Sequence, residues 1–366
     1  MRRRKPRVVR TTLVRLGLAT AAVAIAVPPL FELAYRLQVV DTYAAELRAY
    51  NSPELLESGD GRPTLLAMGD SLTAGDRSYP ARLRGRLPDW RVINAGIPAT
   101  NALQANLVAR KRFARFAPDV LVYQVNVSND LMNLRFPVNW SELSPARNLY
   151  WTLSRRLRGL EYLNYRAAQF AFARRARRQG SGGAPLAPID PVADCVQDGA
   201  AFEPAGYTAR ERLYLRAEPY LIENQVRLRG GREADFESWM TSVVRLLERC
   251  AIPNCERKLL VVPHAAQVAH SYLDEMRSLG ARFDDADAVM RGDYGFLAAV
   301  RESLGRHGLD NVEVLDPLPQ LREAERAGIR TYYRYDPHLT SCGQQVLTDV
   351  VANSLPSSWP TVAHDD

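Results

Sequence analysis

Short apolar runs that alternate with helical patterns constrain the fold of this 366-residue chain more than any other feature of its sequence. Strands that are apolar along their whole length are typical of a parallel sheet covered by helices on both faces. The sequence therefore predicts an α/β fold with a parallel sheet. The runs lie at Thr64–Met68, Arg91–Asn94, 119–125, 258–263 and 312–315.

The stretch between the third and fourth runs is too long for a single connection between neighbouring strands. We therefore expect a mostly helical insertion, 136–250, within a domain that spans 61–355. The first part of the insertion, 146–178, is rich in arginine and aromatic residues, and 179–189 has the composition of a flexible linker. Three interpretations of 146–178 stay open: a helical cap on the core, a helix on a membrane surface, or a lid that recognises an anionic or sugar polymer.

The positive charge of the chain is concentrated at its N-terminus. The net charge is +7, and residues 1–40 carry eight Lys or Arg against one acidic residue, so the remainder is formally neutral. This distribution argues against nucleic acid as a partner, because a nucleic-acid-binding domain carries its basic residues on the folded surface. An apolar stretch, 16–31, follows the basic residues and predicts a membrane-targeting segment.

This N-terminal pattern predicts the domain order and the location of the protein. We expect a cytoplasmic tail and transmembrane helix in 1–36, a juxtamembrane tether in 37–60, and a C-terminal tail in 356–366. The basic flank would stay in the cytoplasm, which places the rest of the chain outside it as a single-pass membrane protein. Cleavage after the small-x-small site at 24–26 would instead release a secreted protein.

The four cysteines agree with export and leave their pairing open. Cys250 and Cys255 are five positions apart and can pair with each other, or one of them can pair with Cys195. Cys342 is expected to be a small buried residue at the start of a helix. A metal site is not expected, because the sequence has no second close pair of cysteines and no cluster of histidines.

Two short motifs carry the residues of a serine nucleophile and its base. Ser71 follows the first apolar run, at the carboxyl end of a predicted strand, where parallel sheets place their ligand sites. Asp336 and His338 stand in a loop that enters the last predicted helix. His338 can accept the proton of Ser71, and Asp336 can orient the imidazole.

In addition to these two motifs, blocks after the second and third runs complete a resemblance to the SGNH/GDSL hydrolase superfamily. The four blocks, in chain order, are Gly69-Asp70-Ser71-Leu72-Thr73, Asn94-Ala95-Gly96, Ser128-Asn129-Asp130 and Asp336-Pro337-His338. The resemblance implies a three-layer, flavodoxin-like α/β fold with a five-stranded parallel sheet. It also implies a catalytic triad of Ser71, His338 and Asp336. The oxyanion donors would be the N–H groups of Ser71 and Gly96 and the side chain of Asn129.

Two blocks depart from the pattern of the family. Val127 occupies a position that is usually glycine, which leaves Asn126 as an alternative to Asn129 in the oxyanion hole. The last block has one spacer residue between Asp336 and His338, where most members have two. This shorter form occurs in envelope-associated relatives that act on O-acyl groups of polysaccharides, so it indicates a similar location and substrate.

These features together predict a hydrolase, an esterase that removes O-acyl groups, for example acetyl groups, from an envelope polysaccharide or another carbohydrate. Two alternatives remain: an O-acyltransferase with the same triad, and a non-catalytic protein that binds or assembles polysaccharide. His264, after the fourth run, is a candidate substrate-binding residue, although a solvated loop histidine is the commoner case. No cofactor is implied, and the sequence does not predict the oligomeric state.

Overall fold

The computed structural model describes residues 7–57, 61–134, 145–154, 156–178, 195–196, 201–250 and 255–356. The first six residues of the predicted tail, the start of the insertion at 136–144, the predicted linker 179–189 and the C-terminal tail after residue 356 lie outside these ranges.

A five-stranded, fully parallel sheet forms the centre of the α/β part of the chain. Its strand order, β2-β1-β3-β4-β5, is the flavodoxin-like order, and this confirms the sheet that the sequence predicts. The strands are β1 (Thr64–Met68), β2 (Arg91–Asn94), β3 (Val120–Asn126), β4 (Glu256–Val262) and β5 (Glu313–Leu315).

Helices follow the strands as the alternating pattern predicts. Before the sheet come α1 (Arg7–Arg36), α2 (Ala44–Ala49) and α3 (Pro53–Leu56). Between β1 and β4 lie α4 (Tyr79–Arg86), α5 (Ala102–Phe116), α6 (Asp130–Leu134), α7 (Pro145–Ser154), α8 (Arg158–Arg178), α9 (Ala209–Ala217), α10 (Leu221–Arg227) and α11 (Arg232–Arg249). After β4 come α12 (Ala265–Val268), α13 (His270–Ser278), α14 (Ala286–Met290), α15 (Gly295–Arg306), α16 (Leu318–Arg326) and α17 (Ser341–Asn353).

Burial of the central strands shows that both faces of the sheet are covered. Every residue of β1, β2 and β3 is buried, including those that point to opposite faces of the sheet. The continuous apolar runs of the sequence result from this burial. The ligand crevice of such a sheet lies at the carboxyl ends of the strands where the strand order reverses, here between β1 and β3.

The chain divides into two compact units. The larger unit, 43–145 with 183–366, contains the sheet; the smaller, 1–42 with 146–182, contains α1 and α8. The predicted insertion, 136–250, is therefore divided between them: 146–182 belong to the helical unit, and 136–145 and 183–250 belong to the α/β unit.

Part of the predicted tether 37–60 packs on the sheet of the α/β unit. The side chain of Asn51 donates to Asn94 O at 2.7 Å and accepts from Asn94 N at 2.8 Å. The side chain of Arg91 donates to Leu55 O at 3.0 Å. These contacts fix the chain that leads into β1.

Among the described residues, no helix combines the length and the mean hydropathy that a membrane-spanning segment needs. The transmembrane helix expected in 1–36 stays a prediction.

Candidate active site

The nucleophile candidate, Ser71, lies in a tight turn directly after β1. The turn is closed by the backbone N–H of Ala74, which donates to Asp70 O at 2.9 Å. The side chain of Asp70 accepts from Leu72 N at 2.9 Å, so this aspartate supports the backbone of the turn. A buried strand and two turn contacts therefore hold the Ser71 hydroxyl in a half-buried position at the sheet edge.

The loop before α17 brings His338 and Asp336 to this serine. His338 Nε2 lies 2.8 Å from Ser71 Oγ, and His338 Nδ1 contacts Asp336 Oδ1. Asp336 Oδ1 also accepts from the backbone N–H of His338 at 2.9 Å. With Nδ1 donating to the carboxylate, Nε2 is left to accept the hydroxyl proton of Ser71. Residues 267 positions apart in the sequence thus form the predicted serine–histidine–aspartate arrangement.

The charges of the loop favour a charged pair of histidine and aspartate. Burial alone would raise the pKa of Asp336, but hydrogen bonds from His338 and the nearby charge of Arg210 hold this pKa below its ordinary value. Burial alone would lower the pKa of His338, but the hydrogen bond and the charge of Asp336 raise this pKa above 6.5. His338 is therefore a stronger base than an isolated histidine.

Two backbone N–H groups near Ser71 were predicted as oxyanion donors, and they differ in their partners. Within the described part of the chain, the Ser71 N–H donates to no other protein group. The Gly96 N–H instead donates to the side-chain oxygen of Asn94 at 3.1 Å. The Asn94 amide in turn donates to Gly75 O at 3.0 Å, so Asn94 links the second block to the loop after the nucleophile.

Gly96 also approaches the nucleophile turn too closely for a side chain. A Cβ atom at this position would lie 2.5 Å from the backbone nitrogen of Ala74 and 2.8 Å from the carbonyl carbon of Thr73. Contacts this short do not occur in folded proteins, which gives a physical reason for glycine in the second block.

Asn129 and Asn126 occupy different environments after β3. Asn126 is buried, and its side-chain oxygen accepts from Ser128 N at 2.9 Å and from Ser128 Oγ at 2.6 Å. Asn129 is half-buried, and its side-chain oxygen has no partner among the described residues. Asn126 is thus held in a local turn, whereas the side chain of Asn129 hydrogen-bonds the carboxylate of Asp70 beside the nucleophile. The choice between the two as oxyanion donor stays a prediction.

A pair of buried carboxyl groups lies behind the serine. Asp130 accepts from Asn126 N at 2.5 Å, and both burial and the negative charge of Asp70 raise the pKa of Asp130 well above its ordinary value. Burial also raises the pKa of Asp70, despite hydrogen bonds from Leu72, Asn129 and Asn126 that lower it. This environment disfavours two negative charges side by side.

Two glutamines that the sequence analysis missed link the site to its surroundings. Gln124, near the end of β3, accepts from Thr73 Oγ at 2.9 Å. Gln344 of α17 donates to Leu72 O at 3.1 Å and accepts from Tyr79 N at 2.8 Å. Gln124 is a buried polar residue in an otherwise apolar strand, and this pattern is the signal that would have identified it. Gln344 stands beside Gln345 in a helix of mixed composition, where the sequence offers no such signal.

His264, the candidate substrate-binding residue, caps a short helix, and its role toward a substrate stays a prediction. It precedes α12, where its Nδ1 accepts from Ala266 N at 3.0 Å and Gln267 accepts from the His264 N–H at 2.8 Å. Burial lowers the pKa of His264 to about 4, so the ring is neutral near neutral pH. A neutral imidazole that caps a helix accounts for this histidine.

An open cleft with a volume of about 260 Å³ adjoins Ser71 and His338. Most of the side chains around it can form hydrogen bonds, and Tyr333 adds an aromatic ring. These residues include Asp76, Arg77, Ser78, Tyr333, Ser341 and Gln344. Such a lining suits a ligand with many hydroxyl groups better than a long acyl chain.

The second half of the insertion holds the loop that carries the base. Tyr335 stacks on Phe202 with ring centroids 5.5 Å apart, and its backbone oxygen accepts from Thr208 N at 3.1 Å. A Cβ atom on Gly206 would lie 3.1 Å from the Tyr335 ring. We refer to residues 201–211 together with Cys195 as the clasp, because Phe202, Gly206 and Thr208 contact Tyr335, the residue next to Asp336.

Each disulfide joins one cysteine of the insertion to a cysteine that follows the insertion. Cys250 pairs with Cys255, which is one of the pairings left open by the sequence. Cys195 pairs with Cys342, four residues after His338. The expectation that Cys342 is simply a small buried residue was wrong: it is half-buried, and its bond fastens the clasp to the start of α17.

Comparisons with known proteins give matches among solved structures only. No protein-family model and no curated protein matches the chain. A chain named as a lipolytic protein of the G-D-S-L family, from Desulfitobacterium hafniense, is similar at 10% identity with a TM-score of 0.36, covering 80% of this chain and 100% of that one.

Two esterases are similar at the same level. A catalytic mutant of an acetylxylan esterase from Geobacillus stearothermophilus matches at 11% identity and a TM-score of 0.37, covering 80% of this chain and 93% of that one. The acetyl xylan esterase AlAXEase matches at 12% identity and a TM-score of 0.38, covering 80% of this chain and 100% of that one.

Likenesses of this size carry no argument of their own, so the family resemblance rests on the four sequence blocks and on the sheet that brings them together. The order β2-β1-β3-β4-β5 places the blocks after β1, β2 and β3 and the loop before α17 around Ser71. The chain has the five-stranded parallel α/β fold that its resemblance to the SGNH/GDSL hydrolases implies.

Proposed function

We propose that this protein is a serine esterase that hydrolyses O-acyl esters of a carbohydrate. The observation that carries the proposal is the contact of 2.8 Å between Ser71 Oγ and His338 Nε2, with Asp336 on the other nitrogen of the imidazole. This is the geometry required for a general base that activates a hydroxyl nucleophile.

In the proposed mechanism, Ser71 Oγ attacks the ester carbonyl while His338 accepts the serine proton. The oxygen of the tetrahedral intermediate would accept hydrogen bonds from the Ser71 N–H, the Gly96 N–H and the Asn129 amide. Because the Gly96 N–H already donates to the side-chain oxygen of Asn94, the intermediate would have to displace that oxygen. Collapse of the intermediate breaks the bond to the alcohol, which leaves with the proton from His338. Attack by an acceptor on the acyl-serine then regenerates the enzyme.

The solvent exposure of His338 supports water as the acceptor of the acyl group. The side chains of His338 and Asp336 are each 41% exposed, so water can reach the face of the acyl-enzyme beside the base. A sugar hydroxyl would give the acyl transfer that the sequence leaves as an alternative, and the same triad would catalyse it.

The carbohydrate part of the proposal is supported by the polar cleft beside Ser71 and by the single spacer between Asp336 and His338. Hydrogen-bonding side chains and one tyrosine suit hydroxyl-rich rings. The identity of the acyl group is left to experiment, with acetyl as the first choice for assay.

An extracytoplasmic location, with the N-terminal segment as a membrane anchor, also belongs to this proposal. All four cysteines are paired in two disulfides, and disulfides persist in oxidising compartments outside the cytoplasm. The basic residues before the apolar stretch 16–31 favour a cytoplasmic N-terminus.

Labelling with a fluorophosphonate probe tests the nucleophile. The intact protein should be labelled, Ser71→Ala should not, and the control Ser278→Ala, at a serine that bonds its own helix, should be labelled like the intact protein. Equal labelling of the intact protein and Ser71→Ala would contradict the assignment of Ser71. No labelling of any of the three would favour a non-catalytic binding protein.

Hydrolysis and transfer are separated by the products. Acetate release from an acetylated oligosaccharide in water alone is the result that hydrolysis predicts. If acetyl groups leave the donor only when a second, unacetylated oligosaccharide is present, the protein is an acyltransferase and the esterase proposal is wrong.

A further inference from the structure

Within the helical unit, the arginine-rich helix α8 is built onto α1. Glu32 of α1 accepts from the backbone N–H groups of Arg158 at 2.9 Å and of Gly159 at 2.6 Å. A carboxylate at the first turn of a helix satisfies N–H groups that have no partner inside the helix and interacts favourably with the helix dipole. The side chain of Glu32 therefore caps α8.

Close packing continues along the two helices. A Cβ atom on Gly159 would lie 2.7 Å from the ring of Phe31, so a side chain there would force this ring to move. Tyr35 stacks on Tyr162 with ring centroids 5.4 Å apart, and Tyr162 donates to Thr42 O at 3.3 Å. The cap, the glycine contact and the stacked rings make α8 a partner of the predicted anchor helix.

Exposed apolar surface is concentrated in this helical unit. Among the described residues, fifteen large apolar side chains are exposed, and thirteen of them lie in 1–42 or 146–182. They occur on both helices: Leu30 of α1 is 62% exposed, and Phe170 of α8 is 71% exposed. Soluble surfaces rarely collect apolar side chains in this way, so this surface marks an interaction site.

The basic residues are segregated in the same unit. Residues 1–42 and 146–182 contain seventeen Lys or Arg and three Asp or Glu. The rest of the chain contains thirty-one Lys or Arg and thirty-eight Asp or Glu. The helical unit is therefore strongly positive, while the α/β unit with the proposed active site is net negative.

We propose that α8, which packs on the predicted anchor helix α1, docks on the surface of an anionic lipid bilayer. Exposed aliphatic and aromatic side chains gain free energy by entering the interfacial region of a membrane, and neighbouring arginines are attracted to anionic headgroups. A nucleic acid or an anionic polysaccharide would engage the arginines and leave the apolar side chains in water. The proposal builds on the predicted membrane anchor and is independent of the esterase chemistry.

A single fluorescent label on the full-length protein tests this surface. Because all four native cysteines form disulfides, Phe170→Cys provides one reactive thiol on α8. Asp274→Cys, on the exposed face of α13, provides the matched position on the α/β unit. Each protein is labelled with an environment-sensitive dye and mixed with vesicles of phosphatidylcholine alone or with phosphatidylglycerol added.

The proposal predicts a blue shift of the emission at position 170 on anionic vesicles, weakened by high salt, and none at position 274. In the Phe170→Cys background, replacing Arg174, Arg175, Arg177 and Arg178 by Gln should reduce this shift to the level seen with neutral vesicles. The matched control replaces Arg245, Arg249, Arg277 and Arg306 of the α/β unit by Gln and should retain the shift.

Several results would overturn the proposal. These are no shift at position 170, an equal shift on neutral and anionic vesicles, an equal shift at position 274, or the same shift with soluble duplex DNA or an anionic polysaccharide. If the fourfold arginine variant fails to fold, the lipid and salt dependence of the Phe170→Cys protein still decides the matter. The vesicle experiment contains no ester substrate. Failure of the docking proposal, seen as loss of the emission shift, is therefore distinguishable from failure of the esterase proposal, seen as loss of ester hydrolysis.

Discussion

At the scale of single residues, the pKa of His338 sets the pH dependence of the proposed reaction. His338 must be neutral to accept the proton of Ser71, and Asp336 raises the pKa of His338 above 6.5. The rate should therefore fall as the pH drops through this raised pKa. We expect the acidic limb of kcat/KM against pH to have its midpoint above 6.5. A midpoint below 6.5 would show that the charge of Asp336 does not act on the base.

Replacing the aspartate should move that limb and slow the reaction. In Asp336→Asn the hydrogen bond and the charge that raise the pKa of His338 are lost, while burial, which lowers this pKa, remains. The acidic limb should move to lower pH, and kcat should fall by on the order of 10²–10⁴ because the imidazole is no longer held in the productive tautomer. A pH–rate profile of the variant measures both effects, and an unchanged limb would argue against the assignment.

Gly96 offers a test of the second block by substitution with alanine. Because its Cβ would lie 2.5 Å from Ala74 N, Gly96→Ala must shift the backbone, which typically costs about 1–3 kcal/mol of stability. The displaced N–H should also lower kcat by on the order of 10².

Gly85→Ala is the matched control for this substitution. Gly85 lies in α4 with open space at its Cβ position, so alanine there should stabilise the helix by about 0.5–1 kcal/mol. Thermal unfolding and steady-state kinetics of both variants check the pair. Equal behaviour of the two would contradict the close approach at Gly96.

At the scale of elements, the clasp should support the loop that carries the base. The Cys195–Cys342 bond closes a loop of 147 residues, for which the chain-entropy relation gives about 5 kcal/mol of stability, against about 2 kcal/mol for the five-residue loop of Cys250–Cys255. We expect Cys195→Ser with Cys342→Ser to lower both the unfolding midpoint and kcat.

The other disulfide provides the control at this scale. Cys250→Ser with Cys255→Ser removes a bond that does not touch the loop of His338, so kcat should stay near that of the intact protein while stability falls modestly. Chemical denaturation and kinetics separate the two effects. If both double variants lost kcat equally, the clasp would have no particular influence on the base.

The elements that the sequence predicts well are those whose pattern is local. The runs at Thr64–Met68 and Arg91–Asn94 match β1 and β2, because strands buried on both faces are apolar throughout. The pairing of Cys195 with Cys342 could not be predicted, since it depends on how a long insertion folds back. Gln344 was missed because its contacts with Leu72 and Tyr79 join segments far apart in the sequence, although its helix was expected.

Within the site, the sequence predicts which residues lie close together, but it does not predict the hydrogen bonds between them. The four blocks come together around Ser71, and the spacing of Asp336 and His338 is enough to place both on one loop. The contact between the Gly96 N–H and Asn94, and the helix cap formed by His264, depend on backbone geometry that no spacing reveals.

At the scale of the whole molecule, charge separates two parts with different proposed tasks. Residues 41–366 are formally neutral because the positive charge of 146–182 balances the net negative charge of the α/β unit. Because the arginine-rich helix belongs to the helical unit, the insertion divides into a part that packs on α1 and a clasp beside the catalytic loop. Membrane docking and ester hydrolysis can therefore be altered separately by substitution.

The central claim is that Ser71 forms a covalent acyl intermediate, and mass spectrometry of peptides from the acid-quenched protein tests it most directly. The full-length protein is mixed with 4-nitrophenyl acetate and quenched in acid within the first turnover. Digestion should then show one acetyl group on the peptide that contains Ser71, and none in Ser71→Ala. Rapid release of nitrophenol with no acetyl group on that peptide, or with the same acetylated peptides in Ser71→Ala, would contradict the claim.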